Sequence, residues 1–451
     1  MGQCQCPNNV QNSQIDEHNT ISQEIQNKVN VEKNEQINIS QINQLVQVKR
    51  EKTMQINISE ISNQEIQLIS DILCNNLNLS CLTMKFNVKE QNECFSLANL
   101  LQEQKNQTNL VLNFKQLGLE GILLITDSLK TLKNLISLSL TVYLNLSYKE
   151  NNFKVVKPIS DSLVFLKSLT CLSLKLWLAE KYDEEFIDLV NSIKYCQKIT
   201  NLSLSVRHLS KPQSMNSLLD TLYNLRYLSD LTLDFQNSYF RDLKTDIFSN
   251  DNRNKNSKIT KLSINLTNSQ INDERIKFIT SILQNNKLIT HLELQLGPIK
   301  SDLTIYYFMS DQRYQLNNIG IQGTQYLCQS IKNLQDLVSL NLNMSCNNIG
   351  PKGAEQISFC LLNCQKLTNL SLNLSNCQLQ LGRKSIINSI EKCKKMVTLN
   401  LNFNHNAYLN YEQDLMEITK LEKRISKMKR LTTKQFTYEH GYEIFDLEEL
   451  L

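Results

Sequence analysis

The side chains able to do chemistry in this 451-residue chain are five histidines, thirteen cysteines and a scatter of acids and bases. Catalysis needs such groups at fixed spacings. His18, His208, His291, His405 and His440 stand apart, with no His-Glu-x-x-His pair to hold zinc on one helix face. No Gly-x-Ser-x-Gly elbow presents a nucleophile. No glycine-rich loop ending in lysine cradles phosphate either, and Gly350-Pro351-Lys352-Gly353 has the spacing of a turn. Cys360 and Cys364 lie one helical turn apart, but no histidine or second cysteine pair completes a tetrahedral set. The sequence therefore predicts a non-enzymatic protein with no catalytic, cofactor or metal residues.

What remains is the chemistry of recognition. Lys175, Asp230, Asp234, Lys261, His291 and Glu293 fall in short alternating segments otherwise dominated by Ser, Thr and Asn. A protein partner docking there would meet these six charges; the plainer reading is a solvated face with incidental charge. A long insertion opened by Gly297-Pro298 carries Tyr306, Tyr307, Phe308, Met309, Arg313 and Tyr314, residue types common at interfaces. The same aromatics would equally serve to pack the loop back onto its own fold. A smaller insertion, Asn145 to Lys157, has a weaker claim.

The start Met1-Gly2-Gln3-Cys4-Gln5-Cys6 offers a different chemistry. Gly2 suits N-myristoylation once Met1 is removed, and Cys4 or Cys6 suits palmitoylation, giving the two lipid signals a stable anchor requires. Cys6 stands where Ser or Thr is usual and Pro7 follows, so an unmodified tail is the alternative. Near the other end, Lys420, Lys423, Arg424, Lys427, Lys429, Arg430 and Lys434 interleave with apolar residues as the charged face of an amphipathic helix.

The elements that must position these groups follow from one pattern. Leu82, Leu110, Leu138, Leu172, Leu202, Leu231, Leu262, Leu292, Leu340, Leu370 and Leu399 each start an alternating apolar triplet. Most are separated by about 30 residues, the period of a repeat array. Three places upstream the residue is apolar in all copies but one, where Gln107 stands. Alternation over five residues predicts a short strand with one buried face. The rest of each unit is long enough for a turn and a helix, as in Gly353 to Leu362 with Ala354, Ile357, Phe359 and Leu361. Cys196, Cys364 and Cys393 sit six places before their leucines, where other copies have Leu132, Leu166, Leu225 and Leu334; these thiols are expected to act as small hydrophobes.

The strand motif and the entries Asn347-Asn348-Ile349-Gly350-Pro351-Lys352-Gly353 and Asn317-Asn318-Ile319-Gly320-Ile321-Gln322-Gly323 resemble the ribonuclease-inhibitor-like subfamily of leucine-rich repeats. The resemblance runs from about Ile69 to Leu431 and is closest near Leu340 and Leu370. The asparagine usual after the strand is irregular: Asn237, Asn268 and Asn376 fit, whereas Val88, Leu144 and Pro298 do not. The resemblance implies an α/β leucine-rich-repeat solenoid, a horseshoe of parallel inner strands and outer helices in about 11–12 repeats. It also implies a scaffold or adaptor for proteins. Some activators of the GTPase Ran use this subfamily, but none of their loop-edge residues maps onto this chain. A ubiquitin-ligase substrate receptor would need a helical adaptor motif near its N-terminus, which the Asn/Gln-rich start does not resemble.

Composition sets the remaining bounds. With 41% hydrophobic residues the chain can bury a large core, and a net charge of +4 does not mark a nucleic-acid binder. No secretory signal or apolar run of membrane-spanning length stands out, so a cytoplasmic protein is expected, membrane-tethered only through acylation at Gly2, Cys4 or Cys6. The expected layout is a disordered Asn/Gln-rich arm over 1–68 and repeats over 69–410. A capping helix and acidic tail then span 411–451, with Leu415, Ile418, Leu421, Ile425 and Met428 at helical spacing and Met428-x-x-Leu431 starting a degenerate last strand.

Overall fold

A computed structural model describes residues 53–58, 80–86, 91–114, 117–143, 156–177, 183–238, 258–298, 316–406 and 411–438. The chain divides into two compact units, residues 1–206 with 213–228 and residues 207–212 with 229–451. In the first unit the elements run β1 Thr53–Ile58, β2 Cys81–Phe86, α1 Gln91–Glu103, β3 Asn109–Phe114, α2 Leu119–Leu129 and β4 Ser137–Tyr143. They continue with α3 Lys157–Leu163, β5 Cys171–Trp177, α4 Asp183–Ile193, β6 Asn201–Val206 and α5 Pro212–Asn224. In the second unit come β7 Asp230–Asp234, β8 Lys261–Asn265, α6 Lys277–Asn285, β9 His291–Gln295, α7 Ile321–Ile331, β10 Ser339–Asn343 and α8 Gly350–Asn363. These lead to β11 Asn369–Asn373, α9 Gly382–Lys392, β12 Thr398–Asn402, α10 Tyr411–Ser426 and β13 Thr433–Thr437.

Within each unit consecutive strands pair in parallel, in chain order, with repeat leucine opposite repeat leucine. Leu82, Leu110, Leu138, Leu172 and Leu202 form one such row, and Leu231, Leu262, Leu292, Leu340, Leu370 and Leu399 the other. Each unit is an open leucine-rich-repeat array of the α/β class. The register is pinned by burial: along β3 and β4 every second side chain is buried, so a one-residue slip would turn the leucines to solvent. Gln107, the polar break in the upstream column, is itself fully buried and donates from Nε2 to Gln104 Oε1 at 3.3 Å.

The ladder reaches further than the motif predicts at both ends. β1 lies inside the segment read as a disordered arm, and Met54 and Ile56 take register positions opposite Leu82 and Met84. At the other end Lys434, not Leu431, stands opposite Leu399. Leu431 takes the upstream place of Met396 and Met428 that of Cys393, and all of these but Cys393 are buried. The last repeat is therefore shifted by three residues from the expected frame. Its strand was obscured because a lysine stands in the leucine column. Residues 439–451 lie outside the described residues.

The helices pack closely because glycine lines their contacts. A Cβ at Gly382 would lie 2.5 Å from that of Ala354 on the preceding helix, and Gly350 has φ +65°, a conformation that favours glycine. In α8, Ala354, Ile357 and Leu361 are buried as expected, whereas Phe359 is exposed beneath the Lys332 ammonium, 5.6 Å from its ring. Leu415, assigned to the buried face of α10, is also exposed; Ile418, Leu421 and Ile425 carry that face.

Candidate binding surface

Behind β7, β8, β10, β11 and β12 the chain turns on a residue with left-handed backbone. Asn237, Asn268, Cys346, Asn376 and His405 have φ between 52 and 57° and occupy equivalent places. Asparagine tolerates that conformation better than most residues, which accounts for the irregular asparagine column. The next residue does the structural work. Ser238, Ser269, Asn317, Asn347, Cys377 and Asn406 are buried in sequence behind the strands. Asn317 Oδ1 accepts from Ser269 N at 3.0 Å and Ile271 N at 2.8 Å, while its Nδ2 donates to Leu266 O and Leu296 O, each at 2.8 Å. Asn347 accepts from Ile319 N at 2.9 Å and Asn406 from Cys377 N at 2.9 Å. This ladder satisfies backbone groups that the turns would otherwise bury unpaired, and it fixes the ends of the strands.

On the opposite face of β7 to β9 the structure brings five of the predicted docking residues together. Asp230, Lys261 and His291 lie in one row across the three strands, with Asp234 and Glu293 further along. Their charges are largely answered from within. Lys261 Nζ is 3.4 Å from Asp230 Oδ1, and Asp230 Oδ2 accepts from Ser229 Oγ at 2.7 Å. Asp234 accepts from Asn265 Nδ2 at 2.9 Å. Glu293 is held most firmly, accepting from Ser263 Oγ at 3.2 Å, Gln295 Nε2 at 3.1 Å and Asn341 Nδ2 at 3.0 Å, so it bridges three strands. His291 shares a 2.9 Å hydrogen bond with Thr290 Oγ1 and is exposed, as is Lys261.

Lys175, the sixth charge, lies on β5 of the first unit and belongs to a different cluster. Its ammonium is 5.1 Å from the Trp177 ring, and Tyr143 meets that ring edge-on at 4.4 Å between centroids. Neither aromatic was singled out from the sequence, although each sits one residue beyond the alternating triplet, on the solvent side. Tyr306, Tyr307 and Arg313 in the long insertion, and Gly2, Cys4 and Cys6 at the start, lie outside the described residues.

The thiols of the repeat column behave as core atoms. Cys196 is fully buried and donates to Leu163 O at 3.4 Å; burial pushes its thiol up to about 12. Cys393 donates to Ser389 O at 3.2 Å and to Leu361 O at 3.6 Å, and burial raises it to about 11. Cys360 hydrogen-bonds with Cys328 and Cys364; the Cys328 contact and burial hold it well above the usual thiol range against the lowering pull of Cys364. Among the described residues no group of His, Cys, Asp and Glu is arranged to hold a metal ion. No described helix is long and apolar enough to cross a membrane.

No protein-family model and no curated protein matches the chain. Among solved structures, TLR13 in a complex with ssRNA13 is similar at 14% identity and a TM-score of 0.31. That match covers 86% of this chain and 58% of the TLR13 chain, so this chain spans less than two thirds of its neighbour. At that distance the likeness says nothing of what this chain binds. The repeat fold rests on the strand register itself.

Proposed function

We propose that the protein is a non-enzymatic scaffold or adaptor that recognises a protein partner through the solvent face of β7 to β9. The observation that carries this reading is the Glu293 carboxylate, held by donors from three adjacent strands beside the exposed Lys261 and His291. Side chains fixed in this way lose little entropy on binding, so they favour specific docking over loose charge attraction. The ribonuclease-inhibitor-like subfamily fits the helix entries, where Ile319 and Ile349 are both fully buried. A cytoplasmic setting fits the close, unlinked thiols of Cys328, Cys360 and Cys364.

Capture from native lysate tests this with the wild type and a Lys261→Glu/His291→Ala/Glu293→Lys variant. The reading expects a partner retained by the wild type and lost by the variant, with the two chains unfolding at the same urea concentration. A partner that both retain equally contradicts it.

A further inference from the structure

The first unit carries a second surface of different chemistry. β4 and β5 end on Tyr143 and Trp177, which are register partners on the solvent side, and both are half-buried. Their rings meet at 65° with centroids 4.4 Å apart. Lys175 precedes Trp177 by two residues on the same face and holds its ammonium 5.1 Å from the indole ring. The surroundings are hydroxyls: Ser139, Thr141 and Ser173 fill the neighbouring solvent-side positions. Along β3 to β6 the strands read NLVLNF, SLSLTVY, CLSLKLW and NLSLSV, so Lys175 is their one charged side chain.

We propose that Tyr143, Trp177 and Lys175 form a docking point for an extended acidic segment of a protein partner. An apolar side chain of that segment would rest against the ring pair, and an adjacent carboxylate would pair with the ammonium. Two stiff aromatic side chains offer wide contact area at small entropic cost, and tryptophan and tyrosine are the residues that most often dominate binding energy at interfaces. The lone cation sets the sign of the partner, since no acid on these strands repels a carboxylate. The serine and threonine hydroxyls are placed to hydrogen-bond a peptide backbone. This surface goes beyond the charged patch on β7 to β9 and does not depend on it.

Trp177 is the one tryptophan of the chain, so its emission reports on this site alone. The test is selection of a displayed random-peptide library on the full chain, followed by titration of enriched peptides against that emission. Enriched peptides are expected to carry Asp or Glu beside an aromatic or large aliphatic residue and to shift the emission saturably. Affinity should fall at least about tenfold in Tyr143→Ser and in Lys175→Glu, the scale of a lost anchor residue. Lys175→Gln should fall between wild type and Lys175→Glu, and urea unfolding identifies any variant that fails to fold. No enrichment, enrichment without the acidic and apolar pair, or equal affinity in the folded variants overturns the proposal. A single-stranded oligonucleotide that shifts the emission when no peptide does also overturns it, and assigns the site to nucleic acid.

Discussion

The Arg383 guanidinium lies 2.5 Å from the Asp414 carboxylate with both side chains wholly buried, joining α9 to the terminal helix α10. Arg383 also donates from Nε to Gln380 O at 3.1 Å, and the Tyr438 ring lies 5.5 Å from its Cζ. Arg424 adds a two-pronged contact to Glu391 at 2.8 and 2.7 Å nearer the surface. A repeat array needs its last apolar face covered, and these contacts fix α10 over it.

Removing one partner of a buried pair costs about 3–5 kcal/mol where the other charge is left without compensation; Arg383 would keep Glu417 at 3.5 Å, which sets the loss at the lower end of that range. Asp414→Ala is therefore expected to lower the urea midpoint of the second unit sharply and to deprotect α10 in hydrogen exchange. The paired change Arg383→Met/Asp414→Leu should recover most of the loss. If Asp414→Ala unfolds like the wild type, the pair is not what holds the cap.

The polar ladder behind the strands makes a sharper comparison. Asn347 donates to Leu296 O and Met344 O, each at 3.0 Å, so Asn347→Ala strands buried backbone groups and should cost about 1–3 kcal/mol. Asn376, two places after Leu374, supplies mainly its left-handed conformation at φ 52°. Asn376→Gly should be nearly silent and Asn376→Val costly, because a β-branched residue resists that conformation. Denaturant unfolding of the three variants checks the order.

The buried thiols predict a falling stability at alkaline pH. The Cys196 thiol, ordinarily at 9.0, is raised by burial in the folded chain to about 12. Above about pH 9 the unfolded chain loses this proton while the folded chain keeps it, so stability declines as pH rises. One such group contributes a slope of about 1.4 kcal/mol per pH unit in that window. Cys196→Leu, the residue found at the equivalent Leu166 and Leu225, should flatten the decline between pH 9 and 11 in urea titrations. An unchanged slope would place the alkaline sensitivity elsewhere.

The sheet row of Lys261 and Asp230 should matter little for folding. Their 3.4 Å contact is solvent-exposed on the lysine side, and such pairs contribute about 0–1 kcal/mol. Lys261→Ala is expected to leave the unfolding midpoint almost unchanged while weakening the partner complex. A large drop in stability would mean the residue serves the fold and not recognition.

Much of this was legible because burial repeats itself. The leucines of β2 to β12 announce their strands, since each must reach the core of its own unit from the same place in the period. The ends were not legible for the opposite reason: Lys434 stands in the leucine column opposite Leu399, and Met54, opposite Leu82, falls in an Asn/Gln-rich stretch. Arg383 stands six places after Cys377, where Gly353 follows Asn347, and sequence alone gives no sign that its charge meets Asp414 across the cap. The charged cluster was half legible. Residue types located Lys261, His291 and Glu293, but only the register shows which strands place Ser263 and Asn341 around the carboxylate. Tyr143 and Trp177 escaped because they stand beyond the triplet that defines the strand.

The central claim is that a protein partner docks on β7 to β9. Hydrogen exchange of the full chain with and without its captured partner tests this most directly. Slowed exchange is expected in residues 230–234, 261–265 and 291–295 alone, and no slowing when the Lys261→Glu/His291→Ala/Glu293→Lys variant is mixed with the same partner. Protection lying wholly outside those strands would contradict it.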